Sequence, residues 1–173
     1  MSRSFLFCVL SIAFITPAAA HVTLESQEAR VGGAYKAVLR VPHGCDGAAT
    51  TSVRVKIPEG MIGVKPMPKA GWTLTTATGK YPKTYNLFHN ELTEGVIEIG
   101  WSGGKLPDSW YDEFVFTGFL ASDLESGKKL YFPVVQECEK GVHRWIEIPD
   151  GSKTRSDYRE PAPELMLLPA KAP

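Results

Sequence analysis

The segment Ser52-Val53-Arg54-Val55-Lys56-Ile57 alternates strictly between polar and apolar residues. Successive side chains of a β-strand point to opposite faces, so this alternation predicts a strand with one buried face and one solvated face. Residues 94–101 alternate in a similar way. Both segments favour a protein in which sheets pack face to face around a core.

Short strand-like segments separated by turn signals continue along most of the chain. The predicted strands are residues 34–41, 51–57, 71–77, 95–101, 113–120, 129–136 and 143–148. Gly and Pro clusters such as Pro42-His43-Gly44 and Ser102-Gly103-Gly104 punctuate them, and we find no amphipathic helix pattern. About seven short strands with regular turns predict an all-β, immunoglobulin-like antiparallel β-sandwich, and a small closed barrel is the alternative.

The composition changes near residue 150. We therefore predict one domain over residues 21–150 and a C-terminal tail over residues 151–173, first polar and then rich in Pro and Ala. Within this tail, residues 164–168 are apolar enough to add a short edge strand.

The first twenty residues have the pattern of a secretory signal. Arg3 precedes an apolar run over residues 5–15, and Ala18-Ala19-Ala20 is a cleavage signature. The run is shorter than the roughly 20 residues that a membrane-spanning helix needs. We expect residues 1–20 to be removed on export to the periplasm, which leaves His21 at the N-terminus and no membrane span in the mature chain.

The charge balance limits the classes of partner. Removing Arg3 from the 19 basic residues leaves 18, against 19 acidic residues. A near-neutral chain without a basic block argues against nucleic acid or an anionic membrane as a partner.

Outside the signal segment the cysteines are Cys45 and Cys138. In an oxidising compartment an even pair predicts one disulfide, which would close a loop of roughly ninety residues. A Cys pair that binds Cu(I) or Zn is the competing interpretation, although the Cys-x-x-Cys spacing of thiolate sites is absent.

Cleavage after Ala20 would give His21 a free α-amine. The amine and the imidazole Nδ1 of one residue can then bind the same metal ion and close a chelate ring. Nitrogen donors of this kind suit Cu(II), which stands at the top of the Irving–Williams order. An arbitrary, frayed terminus is the alternative interpretation.

A set of short motifs follows His21 in order. They are His21-Val22-Thr23-Leu24, Val41-Pro42-His43-Gly44-Cys45, Ile57-Pro58-Glu59-Gly60, Gly71-Trp72-Thr73-Leu74, Trp101-Ser102-Gly103-Gly104, Asp112-Glu113-Phe114, Val135-Gln136 and Trp145. Over residues 21–150 this series resembles the YcnI-like copper-binding domain of exported bacterial proteins. The resemblance implies a β-sandwich and a Cu(II) site called a monohistidine brace, in which a carboxylate and a tryptophan accompany the N-terminal histidine.

The resemblance assigns roles to four residues. His21 would hold Cu(II) through its amine and its ring, Glu113 would be the carboxylate, Trp145 would lie beside the metal, and Gln136 would be a supporting hydrogen bonder. Asp112 is the alternative carboxylate, since neighbouring strand residues face opposite sides.

These residues leave three functions open. The first is a non-enzymatic periplasmic protein that buffers, carries or delivers Cu(II), with another exported copper protein as donor or acceptor. The second is a copper monooxygenase, which would need a second histidine from among His43, His89 and His143. The third is an interaction module without a metal, because sandwiches host many roles. His43 in its Pro-His-Gly turn is otherwise expected at the surface, and Met61 and Met67 are expected in loop packing rather than as Cu(I) ligands.

Overall fold

The computed structural model describes residues 21–171. The predicted signal segment, its cleavage site after Ala20 and the last two residues lie outside this range. The described residues form twelve strands and one short 3-10 helix. The strands are β1 (Thr23–Leu24), β2 (Glu28–Arg30), β3 (Ala34–Val41), β4 (Thr50–Lys56), β5 (Met61–Pro66), β6 (Thr73–Leu87), β7 (Asn90–Leu106), β8 (Asp112–Leu120), β9 (Lys129–Tyr131), β10 (Val134–Cys138), β11 (Val142–Trp145) and β12 (Glu164–Leu168), and the 3-10 helix is Arg155–Asp157.

Two main sheets pack face to face. One has the strand order β1-β3-β8-β5 and the other has the order β11-β10-β4-β7-β6. Neighbouring strands within both sheets are antiparallel. This architecture confirms the predicted antiparallel β-sandwich. Among residues 21–171, β1 and β11 are edge strands, and each has a partner strand on one side only.

The core lies between the two sheets and follows the alternation of the sequence. Val53 and Val55 of β4 are fully buried, whereas Arg54 between them is exposed. Trp101 of β7 and Phe114 of β8 come from opposite sheets and are both fully buried, with ring centroids 5.5 Å apart. Large aromatic side chains contribute strongly to such a core because each removes a large apolar area from water.

The structure departs from the predicted strands where polar residues interrupt the pattern. Strands β6 and β7 form one long hairpin that extends well past residues 77 and 95, and its pairing register shifts near Lys80. At its tip, Phe88 and His89 both have positive φ angles, of 49° and 68°. The turn lacks the Asn-Gly or Asp-Gly pair that usually signals such a hairpin, so the sequence did not reveal it.

Two further segments differ from the prediction: Met61 was expected in a loop, and residues 129–136 were expected to form one strand. Met61 begins strand β5 and is 1% exposed in the core, whereas Met67 lies beyond the strand and is 52% exposed. The predicted strand over residues 129–136 is two strands, β9 and β10, which join different sheets. Pro133 lies between them, and a proline cannot donate a hydrogen bond to a sheet ladder.

The C-terminal strand β12 is the middle strand of a third sheet, with the order β2-β12-β9, whereas the sequence predicted an edge strand. It pairs in parallel with β2 on one side and antiparallel with β9 on the other. Leu165 and Leu167 are buried in the main core. The folded unit therefore continues past residue 150 and includes residues 164–168.

The predicted disulfide between Cys45 and Cys138 is confirmed, with Cα atoms 6.0 Å apart. It joins the loop after β3 to the end of β10. A disulfide is compatible with export to an oxidising compartment. Within residues 21–171 the structure contains no helix with the length and apolar character required to cross a membrane.

We expect the double variant Cys45→Ser/Cys138→Ser to lower the free energy of unfolding by about 2 to 4 kcal/mol, because the open chain gains entropy when it unfolds. Urea denaturation of both proteins measures this difference. Reductant should bring the wild-type protein to the same transition and leave the variant unchanged. Two free thiols in the native exported protein would contradict the disulfide.

Candidate metal centre

His21 lies beside the edge strands β1 and β11 of the two sheets, on a side that the segment before β12 covers. It comes two residues before β1, and Trp145 is the last residue of β11. The two rings meet edge to face, with centroids 5.5 Å apart and planes at 87°. The structure therefore brings together the two residues predicted to be the brace and its tryptophan.

The ring of His21 is held by the backbone of the segment that leads into β12. Its Nε2 lies 3.2 Å from the carbonyl oxygen of Arg159. A carbonyl oxygen only accepts hydrogen bonds, so Nε2 carries the proton and Nδ1 of the neutral ring carries the lone pair. Nδ1 is the ring nitrogen that can form a chelate with the α-amine of the same residue.

Trp145 is fixed in turn by Gln136. The tryptophan is 4% exposed, and its Nε1–H donates to Oε1 of Gln136 over 3.0 Å. Gln136 is fully buried, and its Nε2 donates to Oγ1 of Thr50 at 2.8 Å and to the carbonyl oxygen of His43 at 2.7 Å. A buried amide of this kind must have partners, because an unsatisfied one is costly. Gln136 therefore holds both Trp145 and the loop that carries His43, while its supporting role at a copper site stays a prediction.

His143 and Glu160 belong to the same cluster, although the sequence analysis gave Glu160 no role. The ring of His143 lies over Trp145, with centroids 4.9 Å apart and planes at 32°. Its Nδ1–H donates to Oε1 of Glu160 at 2.7 Å, and the backbone N–H of Arg144 donates to Oε2 at 2.8 Å. Burial alone would raise the pKa of Glu160, but the hydrogen bonds from His143 and Arg144 lower it below its ordinary value.

His43 completes the group. Its ring centroid is 5.9 Å from that of His143, with planes at 89°. The residue is half-buried rather than at the open surface. A side chain at Gly44 would clash with the carbonyl oxygen of Ala48, which explains the glycine in this tight loop. The only sequence signal for this placement was the neighbouring Cys45, whose disulfide draws the loop towards β10.

Glu113 has different neighbours. It faces Arg40 across β3 and β8, and the Arg40 Nε–H donates to Oε1 of Glu113 at 3.4 Å. Arg40 in turn faces Thr23 of β1, so Glu113 lies two strand spacings, about 10 Å, across the sheet from β1. The structure does not bring Glu113 into contact with His21, and its role as a copper ligand stays a prediction. The alternative, Asp112, accepts a hydrogen bond from the Lys69 Nζ at 2.6 Å.

Within residues 21–171, no group of three or more His, Cys, Asp and Glu side chains is arranged to hold a metal ion. The fit to copper therefore depends on the α-amine that cleavage would expose, together with Nδ1 of His21. These two nitrogens are a suitable donor pair for Cu(II). The hydrogen bond from Nε2 to a backbone carbonyl is the support that metal-binding histidines usually have.

We expect Gln136→Leu to lower the free energy of unfolding by about 1 to 3 kcal/mol or more, because it leaves the indole N–H of Trp145 without its buried partner. Urea denaturation measures the change. Gln27→Leu is the matched control, since Gln27 is exposed and its side chain makes one long hydrogen bond, to the carbonyl oxygen of Leu24. Equal effects of the two substitutions would contradict the role of the buried network.

Comparison with a solved structure supports the fold. The chain is similar to an uncharacterized protein from Nocardia farcinica, whose crystal structure reveals an immunoglobulin-like fold. The TM-score is 0.62 and the sequence identity is 24%, with 86% of this chain and 98% of that chain covered. At this identity the likeness concerns the fold alone. No curated protein sequence matches the chain.

Residues 21–167 match the family model DUF1775, described as a domain of unknown function, and this family comprises the YcnI-like domains. The match begins at His21 and runs through β12, so it covers the sandwich and both edge strands beside the histidine cluster. The chain belongs to the DUF1775 family.

Proposed function

We propose that this chain is an exported, periplasmic protein that binds Cu(II) through the α-amine and Nδ1 of a mature N-terminal His21. The observation that carries the proposal is the 3.2 Å hydrogen bond from Nε2 of His21 to the carbonyl oxygen of Arg159. This bond leaves the lone pair on Nδ1, the nitrogen that a chelate with the amine requires. The proposal further rests on the predicted cleavage after Ala20.

The surroundings of His21 support a held copper ion rather than a frayed terminus. Val22 and Leu24 are buried in the core, so the chain is anchored directly after His21. Trp145 contacts the edge of the ring and is itself anchored by Gln136. A preorganised ligand loses less conformational freedom when the metal binds, which favours affinity.

The role that we propose is to buffer, carry or deliver Cu(II), with the copper ion as cargo and another exported copper protein as its donor or acceptor. An α-amine has an ordinary pKa near 8 and must lose its proton to bind. Copper affinity should therefore rise with pH through that range. We propose no catalytic reaction for the chain.

The main test is a mature protein with one alanine ahead of His21. The addition converts the amine into an amide, which has no basic lone pair at neutral pH, while the imidazole and Trp145 remain. We expect Cu(II) affinity near pH 7 to fall by at least about tenfold, or about 1.4 kcal/mol. Electron paramagnetic resonance with one equivalent of Cu(II) should also show a changed ligand set.

His21→Ala is the matched variant, because it keeps a free amine and removes the ring nitrogen. It should weaken binding comparably. The comparison is made near pH 7, because at high pH the amide nitrogen of the Ala-His terminus in the extended protein could itself bind copper. If the extended protein binds Cu(II) with unchanged affinity and spectrum, the amine is not a ligand and the proposed brace is wrong.

Glu113→Gln tests the carboxylate that the resemblance implies. If Glu113 binds copper, it must give up its ion pair with Arg40, and we expect the variant to weaken Cu(II) binding because a negative charge is lost from the site. The exposed pair with Arg40 contributes little to stability, so unfolding of the metal-free protein should change by less than about 1 kcal/mol. Unchanged copper affinity in a calorimetric titration would remove Glu113 from the site.

The monooxygenase alternative needs a second histidine near His21. One observation favours it, because His143 contacts Trp145, the residue that His21 also contacts. It requires the copper-loaded protein to consume oxygen or peroxide when a reductant is added. We expect no more turnover than the His21→Ala protein shows at equal bound copper.

A further inference from the structure

The ring of His21 is held by a single peptide group, the one that joins Arg159 to Glu160. The carbonyl oxygen of this group accepts the hydrogen bond from Nε2 of His21 at 3.2 Å. Its N–H donates to Oε2 of Glu147 at 2.6 Å. A trans peptide group is planar and points its N–H and its carbonyl in opposite directions. Glu147 and His21 therefore hold the same rigid unit from its two ends.

We propose that Glu147 and Glu160 are positioning residues for copper binding at His21. Neither carboxylate touches the metal ion. Together they fix the peptide group that keeps the proton of the neutral ring on Nε2 and the lone pair on Nδ1. The inference deepens the proposed function and rests on it, because it assumes that Nδ1 of His21 binds Cu(II). The sequence analysis gave neither carboxylate a role.

Glu147 fixes the peptide group with its side chain and the following residues with its backbone. Its N–H donates to the carbonyl oxygen of Glu160 at 3.2 Å, and its own carbonyl oxygen accepts from the N–H of Ala162 at 2.9 Å. These two bonds hold the chain on the side that leads towards β12. The peptide group that reaches His21 lies before them, so its N–H depends on the carboxylate of Glu147.

The side chain of Glu160 fixes the same peptide group to β11. Its Oε1 accepts from Nδ1 of His143 at 2.7 Å, and its Oε2 accepts from the backbone N–H of Arg144 at 2.8 Å. The ring of His143 packs against Trp145, which also contacts the ring of His21. A rotation of the peptide group away from His21 would strain this attachment as well as the bond to Glu147.

The two carboxylates also affect the strength of the bond to His21. A carboxylate that accepts a peptide N–H polarises the peptide, which makes its carbonyl oxygen a stronger acceptor. A stronger acceptor on Nε2–H makes the opposite ring nitrogen, Nδ1, a better metal ligand. Many metal sites use a carboxylate directly on the histidine, whereas here the carboxylate of Glu147 acts through a peptide group. Because the arrangement exists without a metal, binding needs little further ordering.

The pair of variants Glu147→Ala and Glu147→Gln separates position from charge. Glutamine keeps an oxygen that accepts from the N–H of Glu160 and removes the negative charge. Near pH 7 we expect Glu147→Ala to weaken Cu(II) binding by the mature protein about tenfold, the low end of the loss for a supporting partner, and Glu147→Gln to restore most of the affinity. Isothermal titration with Cu(II) measures both. Equal losses would show an effect of charge alone and overturn the positioning role.

Glu160→Ala should weaken binding to a similar extent, because it removes the attachment to His143 and Arg144. Glu137→Ala is the matched control. Glu137 is a half-exposed carboxylate on β10 that makes an ion pair with Arg54 at 3.2 Å, so its removal costs an ion pair elsewhere on the sandwich. We expect this control to leave copper affinity unchanged. An equal loss in Glu137→Ala would contradict a specific role of the two proposed residues.

Two spectroscopic measurements respond to position and not to general stability. In the metal-free protein, at a pH where the ring is neutral, the imidazole ¹⁵N shifts of His21 should place the proton on Nε2. Glu147→Ala should distribute the proton over both ring nitrogens, and Glu147→Gln should not. The electron paramagnetic resonance spectrum of bound Cu(II) should keep the same ligand set in all these variants. A changed ligand set would mean that the lost carboxylate was itself a ligand, and would overturn the proposal.

The N-terminal alanine separates failure of this inference from failure of the proposed function. Thermal unfolding of each metal-free variant first checks that the fold is intact. If the added alanine weakens Cu(II) binding but Glu147→Ala and Glu160→Ala do not, the positioning role is wrong and the brace stands. If the added alanine has no effect either, the brace is wrong and the positioning role fails with it.

Discussion

The side-chain amide of Gln136 is the constraint on which the histidine cluster depends. It is fully buried between β4 and the loop after β3, where unsatisfied polar atoms are costly. Its oxygen accepts the indole N–H of Trp145, and its nitrogen donates to Thr50 and to the carbonyl oxygen of His43. An aliphatic residue there would fill the same space but would leave these groups unpaired. One buried amide thus fixes the tryptophan under His21 and the loop beside His143.

The two sheet edges at β1 and β11 explain why this cluster forms where it does. Strands β1 and β11 are the edges of their sheets, and unpaired edges are normally covered or blunted in soluble folds. Here the chain between the 3-10 helix and β12 covers this side. Its Arg159 carbonyl binds His21, and its Glu160 binds both His143 and the backbone of Arg144. Protection of an edge and orientation of the histidines are therefore achieved by the same segment.

The hydrophobic core, rather than the proposed metal site, is the main source of stability of the sandwich. Trp101 and Phe114 join the two sheets, and they belong to the same core cluster as Trp145 and Val22. The disulfide adds a constraint between the loop with His43 and β10. A metal-free protein should therefore keep its fold, and the proposed binding and release of Cu(II) at His21 requires no unfolding of the sandwich.

The sequence by itself determined the features that local patterns encode. The alternation of Ser52–Ile57 indicated the sandwich and two remaining cysteines indicated the disulfide, whereas the chelating terminus at His21 stays a prediction. Only the tertiary structure decided which distant residues meet. It paired Glu113 with Arg40, joined Glu160 to His143, and made β12 a central strand. The physical reason is that alternation reports which face of a strand is buried, whereas strand order, edge closure and loop anchoring depend on long-range pairing that local sequence does not specify.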